Sequence, residues 1–104
     1  MGAYLFFSTV NNIKEGKKIG RILVEEKLAA CVNIVQNICS IYKWEGKIEE
    51  DSEHLLLIKT TEDKSQLIIK KIKEIHSYEE PEIIGLKIDK GSETYLKWII
   101  DVIK

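Results

Sequence analysis

One hundred and four residues are one domain's worth of chain, and a hydrophobic content of 44% is enough to give it a core. Sixteen basic against 17 acidic side chains leave a net charge of −1, which excludes a partner held by phosphate attraction, so no nucleic-acid role is expected. No apolar run approaches the ~20 residues of a membrane span. The start, Met1-Gly2-Ala3-Tyr4-Leu5-Phe6-Phe7, has neither the basic nor the long apolar region of a signal peptide, and the two cysteines, Cys31 and Cys39, suggest no structural disulfide. A cytoplasmic protein with no membrane partner is the expectation.

Tyr4 to Val10 is dense in aromatic and apolar residues and reads as a buried first strand. Asn12 followed three residues later by Glu15 resembles a capping box and opens a helix. Ile19, Ile22 and Leu23 form its apolar face up to about Lys27, and Gly16 and Gly20 weaken it by up to ~1 kcal/mol each relative to alanine. From Ala29 to Trp44 the period changes. Val32, Ile34 and Ile38 share one parity while Cys31, Val35, Cys39 and Ile41 share the other, so a long strand is predicted. Glu45-Gly46 makes a tight turn in which Gly46 can take a positive φ. Lys47 to Thr60 returns as a second long strand, polar from Glu49 to Glu53 and apolar from Leu55 to Ile58. Thr60 or Thr61 opens a second helix with Ile68, Ile72 and Ile75 inside and Lys70, Lys73 and Glu74 outside. Pro81 to Ile88 reads as a short fourth strand, and Gly91-Ser92 starts a last helix ending near Lys104. The order is that of a single α+β domain, 1–104: a ferredoxin-like βαββαβ unit with a long β2–β3 hairpin and an extra C-terminal helix, closed as an antiparallel sheet with helices on one face.

Two features predict that one copy leaves apolar surface uncovered. Fourteen residues per strand make a hairpin of roughly 46 Å, against a radius of gyration of ~13 Å for a compact domain of this length. The hairpin must overhang, yet it carries Ile38, Ile41, Tyr42, Trp44 and Ile48. In the last helix Tyr95, Leu96, Trp98, Ile99, Ile100, Val102 and Ile103 span about 200° of circumference, twice the roughly 100° stripe of a singly packed helix. Self-association accounts for both; a hairpin folded back on its own sheet is the alternative.

Three ordered strings carry a family resemblance. Leu28-Ala29-Ala30-Cys31-Val32-Asn33-Ile34, Ser40-Ile41-Tyr42-Lys43-Trp44-Glu45-Gly46-Lys47-Ile48 and His76-Ser77-Tyr78-Glu79-Glu80-Pro81-Glu82-Ile83 resemble the CutA family of divalent-cation tolerance proteins, as does Tyr95-Leu96-x-Trp98-Ile99 in the last helix. Departures are Ser77 for the usual proline, Lys43 for an aromatic residue or arginine, Glu80 for an apolar residue and Gly85 for alanine; loss of the proline is expected to leave the 76–79 turn less rigid. The resemblance implies a homotrimer joined through hairpins and neighbouring strands. It also implies an association with tolerance of copper and other divalent metals, and a signalling role like that of the similarly shaped PII proteins. It implies no reaction.

Cys31, His76 and Glu79 are the candidate ligands for Cu²⁺ or another divalent metal: a thiol, an imidazole and a carboxylate inside family-like strings. No metal is expected to be needed for folding. The spacing is not diagnostic, with no paired-cysteine or paired-histidine motif, so partners are expected to converge at a subunit boundary. Cys31 and Cys39, eight residues apart on one strand, stand ~26 Å apart and cannot bond within a chain. Each residue also has a plainer role: Cys31 as a small buried side chain, His76 as a helix-terminal histidine, His54 as a solvated hairpin residue, Tyr78 and Trp44 as packing, and Glu49 to Glu53 as a solvated face, with loose capture of divalent ions as the alternative for that acidic run. A second functional reading is a small-molecule sensor, with Lys59 and Tyr78 beside His76 and Glu79 in an inter-subunit cleft. An enzyme is not expected, because no nucleophile stands with a base. An RNA-binding module lacks its stacking aromatics on the third strand.

Overall fold

The computed structural model describes residues 2–104; Met1, the first residue of the domain read as 1–104, lies outside the described residues. The elements run β1 (Ala3–Val10), α1 (Ile13–Glu25), β2 (Cys31–Trp44), β3 (Lys47–Thr61), α2 (Ser65–Ile75), β4 (Ile84–Lys87) and α3 (Glu93–Val102). The sheet order is β2-β3-β1-β4 with every neighbour antiparallel, the split βαβ arrangement expected from the order of elements.

Alternation along the strands assigns the two faces of this sheet. Phe6 and Val10 of β1 and Leu56 and Ile58 of β3 point to the side of α1 and α2, where they meet Ile19, Leu23, Ile68 and Ile72 in one core. Gly16 and Gly20 lie on the sheet side of α1. A Cβ on Gly16 would stand 3.2 Å from Val10 and 3.3 Å from Leu56, and one on Gly20 3.2 Å from Val32. Both glycines therefore give up helix propensity for close approach. α3 packs on the opposite face at one end, where Ile99 and Ile103 cover Ala3 and Ala30.

The structure departs from the sequence expectation at the end of β3, the start of α2, the extent of β4 and the register of β2. Thr60 and Thr61 stay in β3, paired with Tyr4 and Ala3, and the Thr60 hydroxyl donates to Leu28 O at 2.7 Å. A 3₁₀ turn, Glu62–Lys64, therefore precedes α2. β4 has four residues, not the eight of Pro81 to Ile88. Finally, β2 carries a bulge between Val35 and Ile38: Val35 pairs with Leu55, but Ile38 pairs with Glu53. Asn37 takes φ +61°, and its N–H donates to His54 Nδ1 at 3.2 Å. The extra residue reverses the parity of everything beyond it. Ile38 thus leaves the face of Val32 and Ile34, and His54 is half-buried with a partner rather than solvated.

The overhang is present. Residues 38 to 53 pair only across the hairpin, beyond the last β1 pair, Val10 with His54, and the molecule measures 44 × 25 × 22 Å. The turn places both Glu45 and Gly46 at positive φ, as a two-residue hairpin requires.

Candidate functional site

The 76–82 segment leaves the end of α2 and passes the root of the hairpin. His76 caps the helix, its N–H donating to Ile72 O at 2.9 Å. Its buried ring accepts the Tyr78 N–H at Nδ1, 3.0 Å, which assigns the proton to Nε2, and Nε2 donates to Thr9 O at 2.8 Å. Both ring nitrogens are thereby occupied. The Tyr78 ring packs 4.6 Å from that of His76, and its hydroxyl donates to Glu53 Oε2 at 2.6 Å. Burial, reinforced by that bond to a carboxylate, pushes the Tyr78 phenol well above the ordinary tyrosine range.

Glu15 ties the turn to α1. Asn12 Oδ1 accepts the Glu15 N–H at 2.8 Å, which is half of a capping box. The Glu15 carboxylate does not return to Asn12; it accepts from Ser77 N at 2.7 Å and Ser77 Oγ at 2.8 Å. A proline at 77 has no N–H and no hydroxyl to give. The serine expected to loosen this turn instead supplies two donors that hold it.

A cavity of about 740 Å³ opens beside Tyr78, walled by Tyr42, Trp44, Asp51, Glu53, Glu79 and Glu82. Tyr42 donates its hydroxyl to Asp51, which raises its pKa to about 12. Glu53 is only 7% exposed, so part of the acidic run read as solvated is buried. Glu79 is exposed at the rim.

The other candidates lie elsewhere. Cys31 pairs with Lys59, and Lys59 with Leu5, whereas His76 bonds Thr9 opposite Leu55, four residues or roughly 13 Å along the strands. Lys59 Nζ is 3.4 Å from Tyr95 Oη and 5.6 Å from its ring centre, while Tyr78 sits on Glu53, six residues or roughly 20 Å along β3. Within one chain, Cys31, His76 and Glu79 do not form a metal site, and Lys59 does not join Tyr78. Among the described residues no three His, Cys, Asp or Glu side chains converge as a metal site. Glu15 was read only as a capping residue and Asp51 and Glu53 only as part of the acidic run, so their contacts with Ser77, Tyr42 and Tyr78 were missed from sequence. The one available signal was the hairpin string around Tyr42, since the Glu15–Ser77 and Glu53–Tyr78 contacts span 62 and 25 residues.

Comparison with known proteins agrees with this architecture. Residues 4–102 match the family described as CutA1 divalent ion tolerance protein. The chain is 46% identical over 97 residues to the CutA homolog of Xenopus laevis, covering 93% of this chain but only 64% of that protein. It is 45% identical over 91 residues to the divalent-cation tolerance protein CutA of Thermus thermophilus, covering 88% of each. The crystal structure of CutA from Xylella fastidiosa superposes with a TM-score of 0.96 at 38% identity over the full length of both chains. By name, the Arabidopsis thaliana relative is chloroplastic and that of Archaeoglobus fulgidus periplasmic. This chain belongs to the CutA1 divalent ion tolerance family.

Proposed function

We propose that the chain works as a cytoplasmic, non-enzymatic homotrimer in tolerance of divalent metals, copper foremost, and that it binds the metal where subunits meet. The observation that carries this reading is where the donors lie. Cys31 stands next to Lys59, which touches Tyr95 on an exposed stripe of α3 formed by Tyr95, Trp98 and Val102. Glu79 stands at the hairpin root beside exposed Tyr42 and Trp44. The donors that one chain holds apart therefore border the apolar surfaces that a second copy would cover. His76 can join them only if the Tyr78 N–H leaves Nδ1. Both cysteines are free thiols, which suits a reducing compartment. The divalent-cation tolerance named for the Thermus thermophilus relative supports the physiological side.

Native mass spectrometry of untagged protein tests both halves together. The expected species is three copies of the 12.0 kDa chain, taking up Cu²⁺ in whole-number stoichiometry. His76→Ala should weaken uptake and His54→Ala should not. A monomer at micromolar concentration would sink the assembly. Equal losses at both histidines, or none at either, would leave only weak surface binding. The small-molecule sensor is then the better reading, and the cavity beside Tyr78 is the observation that favours it, with Lys59 supplied by a neighbouring subunit.

A further inference from the structure

We propose that Ser77 is a phosphorylation site: its hydroxyl accepts the terminal phosphoryl group of ATP from an acid-directed serine kinase, and Lys14 and Lys18 then hold the phosphoserine in place of Glu15. The inference goes beyond the metal-tolerance reading and depends on neither metal binding nor subunit number.

Position is the first argument. Ser77 is exposed and opens the 77–83 segment, which lies outside helix and strand, so its hydroxyl sits on chain that an enzyme cleft can take up. It stands on the α1 side of the sheet, bonded to Glu15, whereas α3 and its uncovered stripe are on the other side. Sequence is the second argument. Exposed Glu79, Glu80 and Glu82 follow Ser77 at the second, third and fifth places, a run of charge that fits a basic peptide groove. Among the serines and threonines only Thr60 also has acids at its second and third following places, and Thr60 is fully buried with its hydroxyl on Leu28 O. The neighbouring Tyr78 hydroxyl is held by Glu53.

In the transfer the bond from Ser77 Oγ to phosphorus forms as the bond from the terminal phosphorus to its bridging oxygen breaks. ADP departs with that electron pair, and the hydroxyl proton passes to the carboxylate base of the kinase. The product carries about −2 charge at neutral pH. Its Oγ has no proton left to donate to Glu15 Oε1, and the two anions repel across what was a 2.8 Å bond. Cations are at hand. Lys14 and Lys18 line the same cleft as Ser77, and neither forms an ion pair among the described residues. They lie four residues apart on α1, so each repels the other until an anion stands between them. Phosphorylation therefore exchanges the Ser77–Glu15 latch for one on the lysines and shifts the turn that carries His76 and Glu79.

Incubating the intact protein with magnesium, ATP and a serine kinase whose peptide groove is basic tests the site. One phosphate per chain should be taken up and should map to Ser77 by fragment mass spectrometry. Glu80→Gln should slow the uptake ~10-fold, and Ser77→Pro, which restores the residue usual in the family, should abolish it. Phosphorylation should speed amide exchange at residue 77 by at least ~10-fold, because its N–H loses Glu15 Oε2. Removal of the phosphate by a broad-specificity phosphatase should be ~10-fold faster in the Lys14→Gln, Lys18→Gln protein than in the parent, since the lysines shield it. No uptake, or uptake at another residue, would overturn the site. Uptake at Ser77 with unchanged amide exchange, or equal dephosphorylation with and without the lysines, would overturn the switch of partners. None of these measurements reads Cu²⁺ or subunit number, so failure of the metal experiment leaves them unaffected.

Discussion

From Cys31 to Val35 the second strand is roofed by α1, whereas from Ile38 to Trp44 the same strand has no helix over it. In the covered part Val32 and Ile34 lie under the two glycines of α1, and their cross-strand partners Ile58 and Leu56 are fully buried. In the overhanging part Ile41 is 67% exposed, Trp44 53% and Ile48 76%. Pairing is continuous through both, apart from the bulge. Ladder hydrogen bonds and a two-residue turn are therefore enough to shape a hairpin, but an isolated two-stranded ribbon is only marginally stable. The outer half depends on its tether to the sheet and, in the proposed trimer, on burial by other copies.

The largest contrast should come from truncating one apolar side chain in each half. Leu56→Ala, in the core, should cost ~2–5 kcal/mol in denaturant unfolding, while Ile48→Ala should stay within about 0.5 kcal/mol. Any larger loss at Ile48 should grow with protein concentration, because subunit binding stabilises by mass action. A concentration-independent loss of core size at Ile48 would break the comparison.

Gly85 tests the covered half from its edge. A Cβ there would stand 2.6–2.9 Å from the Phe6 ring, so Phe6 or β4 must move to admit it. Gly85→Ala should destabilise by ~1–3 kcal/mol, even though alanine is the usual family residue. A neutral effect would show that the short edge strand yields freely.

At the junction of the halves, Asn37 holds φ +61°. Asn37→Ala should cost about 1–2 kcal/mol and Asn37→Gly less, because glycine bears no Cβ penalty in the left-handed region. If alanine is tolerated as well as glycine, the bulge is not what sets the parity of the outer strand.

The smallest effect is spectroscopic. Tyr42, on the overhang, should deprotonate near pH 12, held by its hydrogen bond to Asp51 and then by desolvation. Its folded-state pKa is raised, so the small stabilisation it gives is complete below the ordinary tyrosine value and is lost as pH rises through about 12. Phenolate absorbance should show this late titration, and Asp51→Asn should move it earlier. An unchanged titration in Asp51→Asn would mean that the bond is not kept in solution.

Local patterns in the sequence determined the order of elements, the Asn12 cap, the hairpin with its turn at Glu45-Gly46, and the family strings. Periodicity, capping and turn chemistry act within a few residues and can be read there. The unmatched length of the hairpin and the wide apolar arc of the last helix were legible too, and Tyr95, Trp98 and Val102 do remain exposed. Only the tertiary structure decided the rest. One extra residue at the bulge moved Ile38 to the other face, which strict alternation could not show. Glu15 turned from its own helix to Ser77, and Glu53 left solvent for Tyr78, because partners brought alongside by folding outcompeted the local ones. The same strand register set Cys31 and His76 roughly 13 Å apart along the sheet. Register and packing join residues distant in the chain, and those contacts leave no spacing in the sequence by which to read them.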